Sequence, residues 1–144
     1  MSGFHVEVGQ TYTFRKTVAE ADVYAFAGIT GDLSPNHVDE AAMRLTPYGG
    51  RIAHGALLIG YMSACSTMAC AGARDGGETP VSLGYDRVRL LRGVRIGETI
   101  AVTYRIQRID ADKRRSFADV EVHVVESGEL AAVATHILQW VPNA

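Results

Sequence analysis

The 144-residue sequence predicts an α+β fold, with helices in its first half and a mostly C-terminal antiparallel sheet. Residues 52–73 contain no Asp, Glu, Lys or Arg, which predicts one long buried helix. Four strand-type runs follow it, and the polar links between the last three runs are short enough to be hairpin loops. The length and a hydrophobic content of 47% suit a single domain spanning residues 1–144.

Three short elements are predicted before the long helix. Residues 11–17 alternate with the period of a strand. Thr17 is expected to cap a helix that runs from about Val18 to near Gly28. Ser34 is a good N-cap residue and proline is favoured at the first helical position, so a second short helix is expected from Pro35 to about Leu45.

The long helix is expected to begin near His54 or Gly55 and to stop near Gly72. Many of its residues are small or hydroxyl-bearing, so a buried helix is favoured over a membrane span. Because it is apolar on every face, protein must surround it, and a curved antiparallel sheet wrapped around it would do so. The four strands are expected at about 81–90, 98–109, 115–126 and 130–141.

Charge and cysteine content exclude several classes of protein. The net charge of −2 shows no basic excess of the kind that nucleic-acid binding needs. Cys65 and Cys70 are five residues apart and fall on different helix faces, so neither a disulfide nor a metal pair is expected. Unpaired thiols and an N-terminus without signal-peptide features lead us to expect a cytoplasmic protein.

The stretch from Gly31 to Asp39 carries the clearest chemical signal. It places the Asp32 carboxylate two residues before the Ser34 cap and the His37 imidazole in the first helical turn. The chain reverses at Asp32, so its carboxylate can fold back toward the imidazole. Two proton-handling groups on one turn indicate acid/base chemistry.

The sequence resembles the MaoC-type (R)-specific enoyl-CoA hydratases from about Thr17 to the C-terminus. The resemblance rests on Gly31, the Asp32-x-x-x-x-His37 pair, His37-x-Asp39 and the segment Arg51–Gly55 ahead of an apolar helix. The family's usual run has asparagine and an aliphatic residue where this chain has Ser34 and Asn36. Serine caps a helix about as well as asparagine, so these two departures bear on substrate preference more than on chemistry.

The resemblance implies a hot-dog fold and reversible hydration of trans-2-enoyl-CoA to (R)-3-hydroxyacyl-CoA. It implies a coenzyme A thioester as substrate, no cofactor or metal, and a homodimer with sites near the subunit contact. Asp32 and His37 would hold the attacking water, with His37 as base and Asp32 exchanging a proton with Cα, although the two roles could be reversed. Ser63 would be a polar contact, unless its hydroxyl simply bonds its own helix.

Two further residues are interpreted from local chemistry. The N–H of Gly55, at the start of the long helix, is free of intrahelical bonds and suits a developing enolate oxygen. His54, just before that helix, is expected to fix the loop by hydrogen bonds. A cluster of arginines is either a solvated strand edge or a landing site for the coenzyme A phosphates. Its members are Arg87, Arg89, Arg92 and Arg95.

Other functions remain open at this stage. A thioesterase could use the same fold and acyl-CoA pocket and attack a different carbon. A non-catalytic acyl-CoA-binding module would use Asp32 and His37 only to brace a loop. The pattern His37-Val38-Asp39 with a distant His123 or His136 is also typical of non-haem iron oxygenases. Residues two apart on one helix point about 200° apart, which argues against that iron site.

Overall fold

A five-stranded antiparallel sheet forms most of the molecule. The computed structural model describes residues 3–144. The strands are β1 (Thr11–Thr17), β2 (Glu78–Leu90), β3 (Thr99–Asp110), β4 (Arg115–Val124) and β5 (Leu130–Pro142). Their order across the sheet is β1-β3-β4-β5-β2, and each neighbouring pair is antiparallel. The predicted strands and the β3-β4-β5 meander are therefore confirmed, while β2 lies at one edge.

The helices are α1 (Glu20–Thr30), α2 (Pro35–Val38), α3 (Glu40–Arg44) and α4 (Gly55–Ala69). Helix α4 packs against β1, β3 and β4, which confirms a central helix held by the sheet. Alternate residues of the central strands, among them Ile100, Val102 and Tyr104, are fully buried in the core beneath it. No helix of the described chain combines the length and hydropathy required to cross a membrane.

The sheet covers α4 on one side only. Buried residues such as Leu58, Met62 and Cys65 face the core. On the opposite side, an exposed stripe repeats with helical spacing and consists of small or hydroxyl-bearing residues: Ala56, Gly60, Ser63 and Thr67. Residues 3–144 of one chain therefore leave this stripe uncovered, although the sequence predicts that protein surrounds the whole helix.

Two helix ends differ from the expectations. Thr17 stays in β1, where its hydroxyl lies 2.8 Å from that of Thr99, so it does not cap α1. Helix α1 begins at Glu20, and the Asp22 carboxylate accepts a hydrogen bond from the N–H of Ala19 at 2.9 Å. It continues to Thr30, beyond the predicted end near Gly28, and α4 ends at Ala69 before Gly72.

The predicted helix from Pro35 to Leu45 is interrupted at Asp39. This residue has φ −111° and ψ 92°, and its carboxylate accepts a hydrogen bond from the N–H of Ala42 at 3.0 Å. Aspartate is as strong an N-cap as serine, so the two caps compete and the segment divides into two short helices. The helix that carries His37 is consequently a single turn.

Candidate active site

The turn between α1 and α2 sets the position of Asp32. Gly31 ends α1 with φ +80°, a left-handed conformation that glycine adopts at little cost. The N–H of Asp32 donates to the Thr30 hydroxyl at 3.2 Å, and Asp32 Oδ1 accepts from the N–H of Ser34 at 3.3 Å. The carboxylate therefore turns back over the start of α2, as the sequence predicts, and it remains exposed.

The backbone of Ile52, fifteen residues further along the chain, sets the orientation of His37. Its ring is 8% exposed, and Nδ1 lies 2.7 Å from the carbonyl oxygen of Ile52. A carbonyl oxygen only accepts, so Nδ1 carries the proton and the neutral ring keeps its lone pair on Nε2. The imidazole is thereby held in the tautomer that a general base needs.

His54 is the N-cap residue of α4 and is 1% exposed. Its Nε2 lies 2.9 Å from the carbonyl oxygen of Asp32, so the prediction that it fixes the loop is confirmed. Its ring also stacks on that of His37, with centroids 3.6 Å apart and planes 25° apart, and packs against Phe26 at 4.6 Å. The sequence carries no signal for this stack, because the rings belong to different helices.

Asp32, His37 and His54 form one cluster, with a nitrogen or carboxylate oxygen of each within 4.8 Å of the others. Two histidines that share a metal must aim their in-plane lone pairs at one point. The two rings stack with their planes 25° apart, and one nitrogen of each ring already bonds a backbone carbonyl oxygen, so the cluster suits proton transfer better than metal binding.

The iron-site alternative finds no support in the positions of its residues. The Asp39 carboxylate caps α3. His136 is buried on β5, where its two ring nitrogens bond the hydroxyls of Ser82 and Tyr104, each at 2.8 Å. Burial lowers the pKa of His136 to about 4, so it is a neutral core residue, in line with its interpretation as a satisfied strand histidine.

Gly55 is the first residue of α4, and its N–H has no backbone acceptor among residues 3–144. This N–H lies at the N-terminal, positive end of the helix dipole, which favours binding of a negatively charged oxygen. A Cβ at this position would overlap a methyl group of Leu90. Gly55 also lines a cavity of about 570 Å³ together with Tyr48, Ile52 and Leu90. Residues 52–55 therefore touch both this cavity and the Asp32–His37 pair.

Ser63 lies two turns beyond Gly55 on the exposed side of α4. Its hydroxyl is next to that of Tyr85 on β2, whose buried oxygen has no hydrogen-bond partner within the described chain. Burial raises the pKa of Tyr85, and the Ser63 hydroxyl opposes that shift. No hydrogen bond in residues 3–144 joins the Ser63 hydroxyl to Asp32, to His37 or to its own helix, so its role as a polar contact stays a prediction.

Arg51 ties together the segments that carry the site, a role that the sequence does not reveal. It donates from Nε to Glu40 at 2.6 Å, and from Nη1 to Glu20 at 3.2 Å and to the Tyr24 hydroxyl at 2.8 Å. The Glu40 hydrogen bond, followed by that of Glu20, raises the pKa of Arg51, while the same bond lowers the pKa of Glu40. The segment before α4 is thus fastened to α1 and α3.

The arginine cluster divides into two pairs. Arg87 and Arg89 lie on the exposed edge strand β2, where they fit the interpretation of a solvated edge. Arg92 donates to Glu98 at 2.5 Å and to Glu129 at 3.1 Å, and Arg95 donates to Glu98 at 3.3 Å. The charges of this second pair are already compensated, which weakens the phosphate-binding alternative.

Comparison with known proteins identifies relatives of this chain. Residues 4–129 match the family described as MaoC like domain. The chain is 32% identical over 128 residues to an (R)-specific enoyl-CoA hydratase of Rhodospirillum rubrum, covering 86% of this chain and 85% of the relative. It is 34% identical over 111 residues to a 3-hydroxybutyryl-CoA dehydratase of Methylorubrum extorquens, covering 77% and 67%. The solved (R)-hydratase of Aeromonas caviae superposes with a TM-score of 0.79 at 25% identity, covering 93% of this chain and 96% of that one.

Proposed function

This chain belongs to the family of the MaoC like domain, and we propose from that membership that it is an (R)-specific enoyl-CoA hydratase. The reaction is the reversible addition of water to a trans-2-enoyl-CoA thioester, giving (R)-3-hydroxyacyl-CoA. The observation that carries the proposal is the Asp32 carboxylate beside His37, whose Nε2 lone pair is kept free by the Ile52 carbonyl. No cofactor or metal takes part in this scheme.

In the proposed steps, His37 and Asp32 each transfer a proton, and Gly55 stabilises a negative charge. His37 Nε2 removes a proton from water while the hydroxyl oxygen bonds to C3 of the substrate. Negative charge moves to the thioester oxygen, where the N–H of Gly55 stabilises it. The proton on His37 then passes to the Asp32 carboxylate, which delivers it to C2, so both groups end the cycle in the state in which they began. The N–H of Gly55 is supplied by a helix start, so it costs no reorganisation during the reaction.

The decisive experiment measures turnover and thiol release together. Trans-2-enoyl-CoA thioesters of increasing chain length are mixed with the wild type, Asp32→Asn and His37→Ala, and the conjugated absorbance and free thiol are recorded. The hydratase removes the absorbance without releasing thiol, its product elutes as the (R) isomer on a chiral column, and both variants are severely impaired.

Each rival gives a different result in the same assay. Thiol release without formation of a 3-hydroxyacyl-CoA product would identify a thioesterase. A non-catalytic acyl-CoA-binding module would bind the thioester without turnover, and Asp32→Asn would leave its affinity unchanged. Wild-type turnover in both variants would overturn the assignment of Asp32 and His37.

The proposal includes a homodimer with the active site near the contact between copies. The edge strand β2 carries exposed apolar side chains such as Val81 and Leu83, 49% and 51% exposed. The exposed stripe of α4 is uncovered in one chain, and Asp32 is open to solvent. A second copy would cover these surfaces and shield the reacting water. Sedimentation should give the mass of a dimer and Leu83→Lys that of a monomer. A wild type that sediments only as a monomer would contradict this part of the proposal.

We also place the protein in the cytoplasm. Cys65 and Cys70 are both free thiols. Free cysteines suit a reducing compartment. Fractionation of cells that express a tagged chain would test this location.

A further inference from the structure

We propose that His54 is a positioning residue for hydration, holding Asp32 through its backbone and His37 through its ring. This inference rests on the proposed function, because its main effect is on the rate of hydration. The inferred role goes beyond fixing a loop, because the edge of the His54 ring contacts Asp32 while its face contacts His37.

The edge of the ring holds Asp32. His54 Nε2–H donates to the Asp32 carbonyl oxygen at 2.9 Å, across 22 residues of sequence. The Asp32 side chain itself is exposed, and among residues 3–144 it accepts only the 3.3 Å hydrogen bond from the Ser34 N–H. Its carboxylate therefore depends on a fixed backbone for its position, and the buried His54 supplies that anchor.

The face of the ring holds His37. The bond from His37 Nδ1 to the Ile52 carbonyl fixes one point of the imidazole but leaves the ring free to tilt about that point. Helix α2 is a single turn and gives little support of its own. The His54 ring, 3.6 Å away and backed by Phe26, blocks the tilt. Nε2 of His37 is then aimed in one direction.

The cost of burying His54 supports this double role. Its Nδ1 is buried without a hydrogen-bond partner among the described residues. An unsatisfied buried nitrogen costs about 1–3 kcal/mol. A glutamine would supply a donor and a phenylalanine would supply a flat face. At this size only histidine supplies both a donor and a flat face. This double requirement explains why a histidine stands at position 54, although its unpaired Nδ1 lowers stability.

Two variants separate the two contacts. His54→Gln keeps a donor near the Asp32 carbonyl and loses the ring, whereas His54→Phe keeps the ring and loses the donor. Both should stay folded by circular dichroism and lower kcat about 10- to 100-fold, while KM changes by less than about threefold. His123→Gln, at a half-buried position on β4, is the matched control and should have wild-type kcat.

A double-mutant cycle separates positioning from general support. In a His37→Asn background, where the base is absent, His54→Gln, which removes the ring that holds His37, should reduce the residual turnover much less than it does alone. Wild-type kcat in either folded single variant, or a fully additive loss in the double variant, would overturn the inference.

A measurement without substrate separates this inference from the proposed function. In the wild type and in His54→Phe, which keeps a flat ring against His37, the His37 Nδ1 proton should give a slowly exchanging imidazole resonance, whereas His54→Gln should exchange it faster. If the wild type lacks hydratase activity but shows this difference, the proposed function fails while the coupling of the rings stands. Equal exchange in all three proteins would contradict the coupling itself.

Discussion

His37 Nδ1 lies 2.7 Å from the carbonyl oxygen of Ile52, and this one contact decides which ring nitrogen is available for chemistry. The donor role of Nδ1 leaves the lone pair on Nε2. The contact also joins the single-turn helix α2 to the segment that leads into α4. His37, the proposed base, and Gly55, the proposed oxyanion donor, are therefore positioned by the same short stretch of chain.

Replacing His37 by asparagine should remove the base and keep this contact. The asparagine amide can take the place of Nδ1 and donate to the Ile52 carbonyl, so the fold should be retained. We expect kcat to fall about 10²- to 10⁴-fold, the usual contribution of a general base. Steady-state hydration assays measure the loss. His123→Asn makes the same change at a half-buried position on β4 and should be fully active. Wild-type kcat in His37→Asn would refute the role of His37 as the base.

Gly55→Ala should impair catalysis more than folding. The new methyl group would displace the Leu90 side chain, whose exposed end can rotate away, into the cavity that Gly55 lines. We expect kcat/KM to fall by about tenfold or more, as for an extra methylene in a substrate pocket. Gly28→Ala, in open space on α1, is the control and should raise stability by about 0.5–1 kcal/mol without changing activity. Equal kinetics for both variants would contradict an oxyanion role for Gly55.

Arg51→Met should loosen the site and lower its melting temperature. The substitution leaves Glu40, Glu20 and Tyr24 without their shared donor. Because Arg51 is only 15% exposed, these bonds are less screened than ordinary surface pairs. Calorimetry should show a clear fall in melting temperature, accompanied by a lower kcat. The exposed Arg44 side chain pairs with Glu40 alone within the described part of the chain, so Arg44→Met should lower neither by a comparable amount.

The buried His136 predicts a loss of stability in acid. Its pKa is about 4 in the folded protein and 6.5 in the unfolded chain, so between these values only the unfolded state binds the proton. The contribution is fully present above pH 6.5 and is lost as the pH falls toward 4, by about 3 kcal/mol in all. Urea unfolding at several pH values measures the slope. In His136→Gln this part of the slope should disappear, and an unchanged slope would show that another group causes it.

The two cysteines should react slowly with thiol reagents while the protein is folded. Burial raises the pKa of Cys65 and of Cys70 to about 11, and the thiolate is the reactive form. Colorimetric titration near pH 8 should therefore be slow in native buffer and rapid in denaturant, with two thiols per chain. Fast labelling of Cys65 in the native state would contradict its complete burial.

The strands and α4 could be predicted because their patterns are long and regular. The alternation in β3 and β5 and the uncharged stretch of α4 each extend over ten residues or more. The break at Asp39 could not be predicted with the same certainty, since two good caps, Ser34 and Asp39, lie five residues apart and compete over too short a distance. The residues of the Asp32–His37 pair were found from spacing. Their orientation depends on Ile52, His54 and Arg51, which reach them only through the fold.

The dependence of His37 on Ile52 and His54 limits how far the Asp-x-x-x-x-His signature can be transplanted. A designer who grafts residues 31–39 onto another scaffold would carry over the reactive groups but neither the acceptor nor the stacked ring. Such a graft should be inert unless the loop at 51–55 travels with it. Searches of genomes for related enzymes should likewise require both segments at once, because either alone describes only half of the machinery.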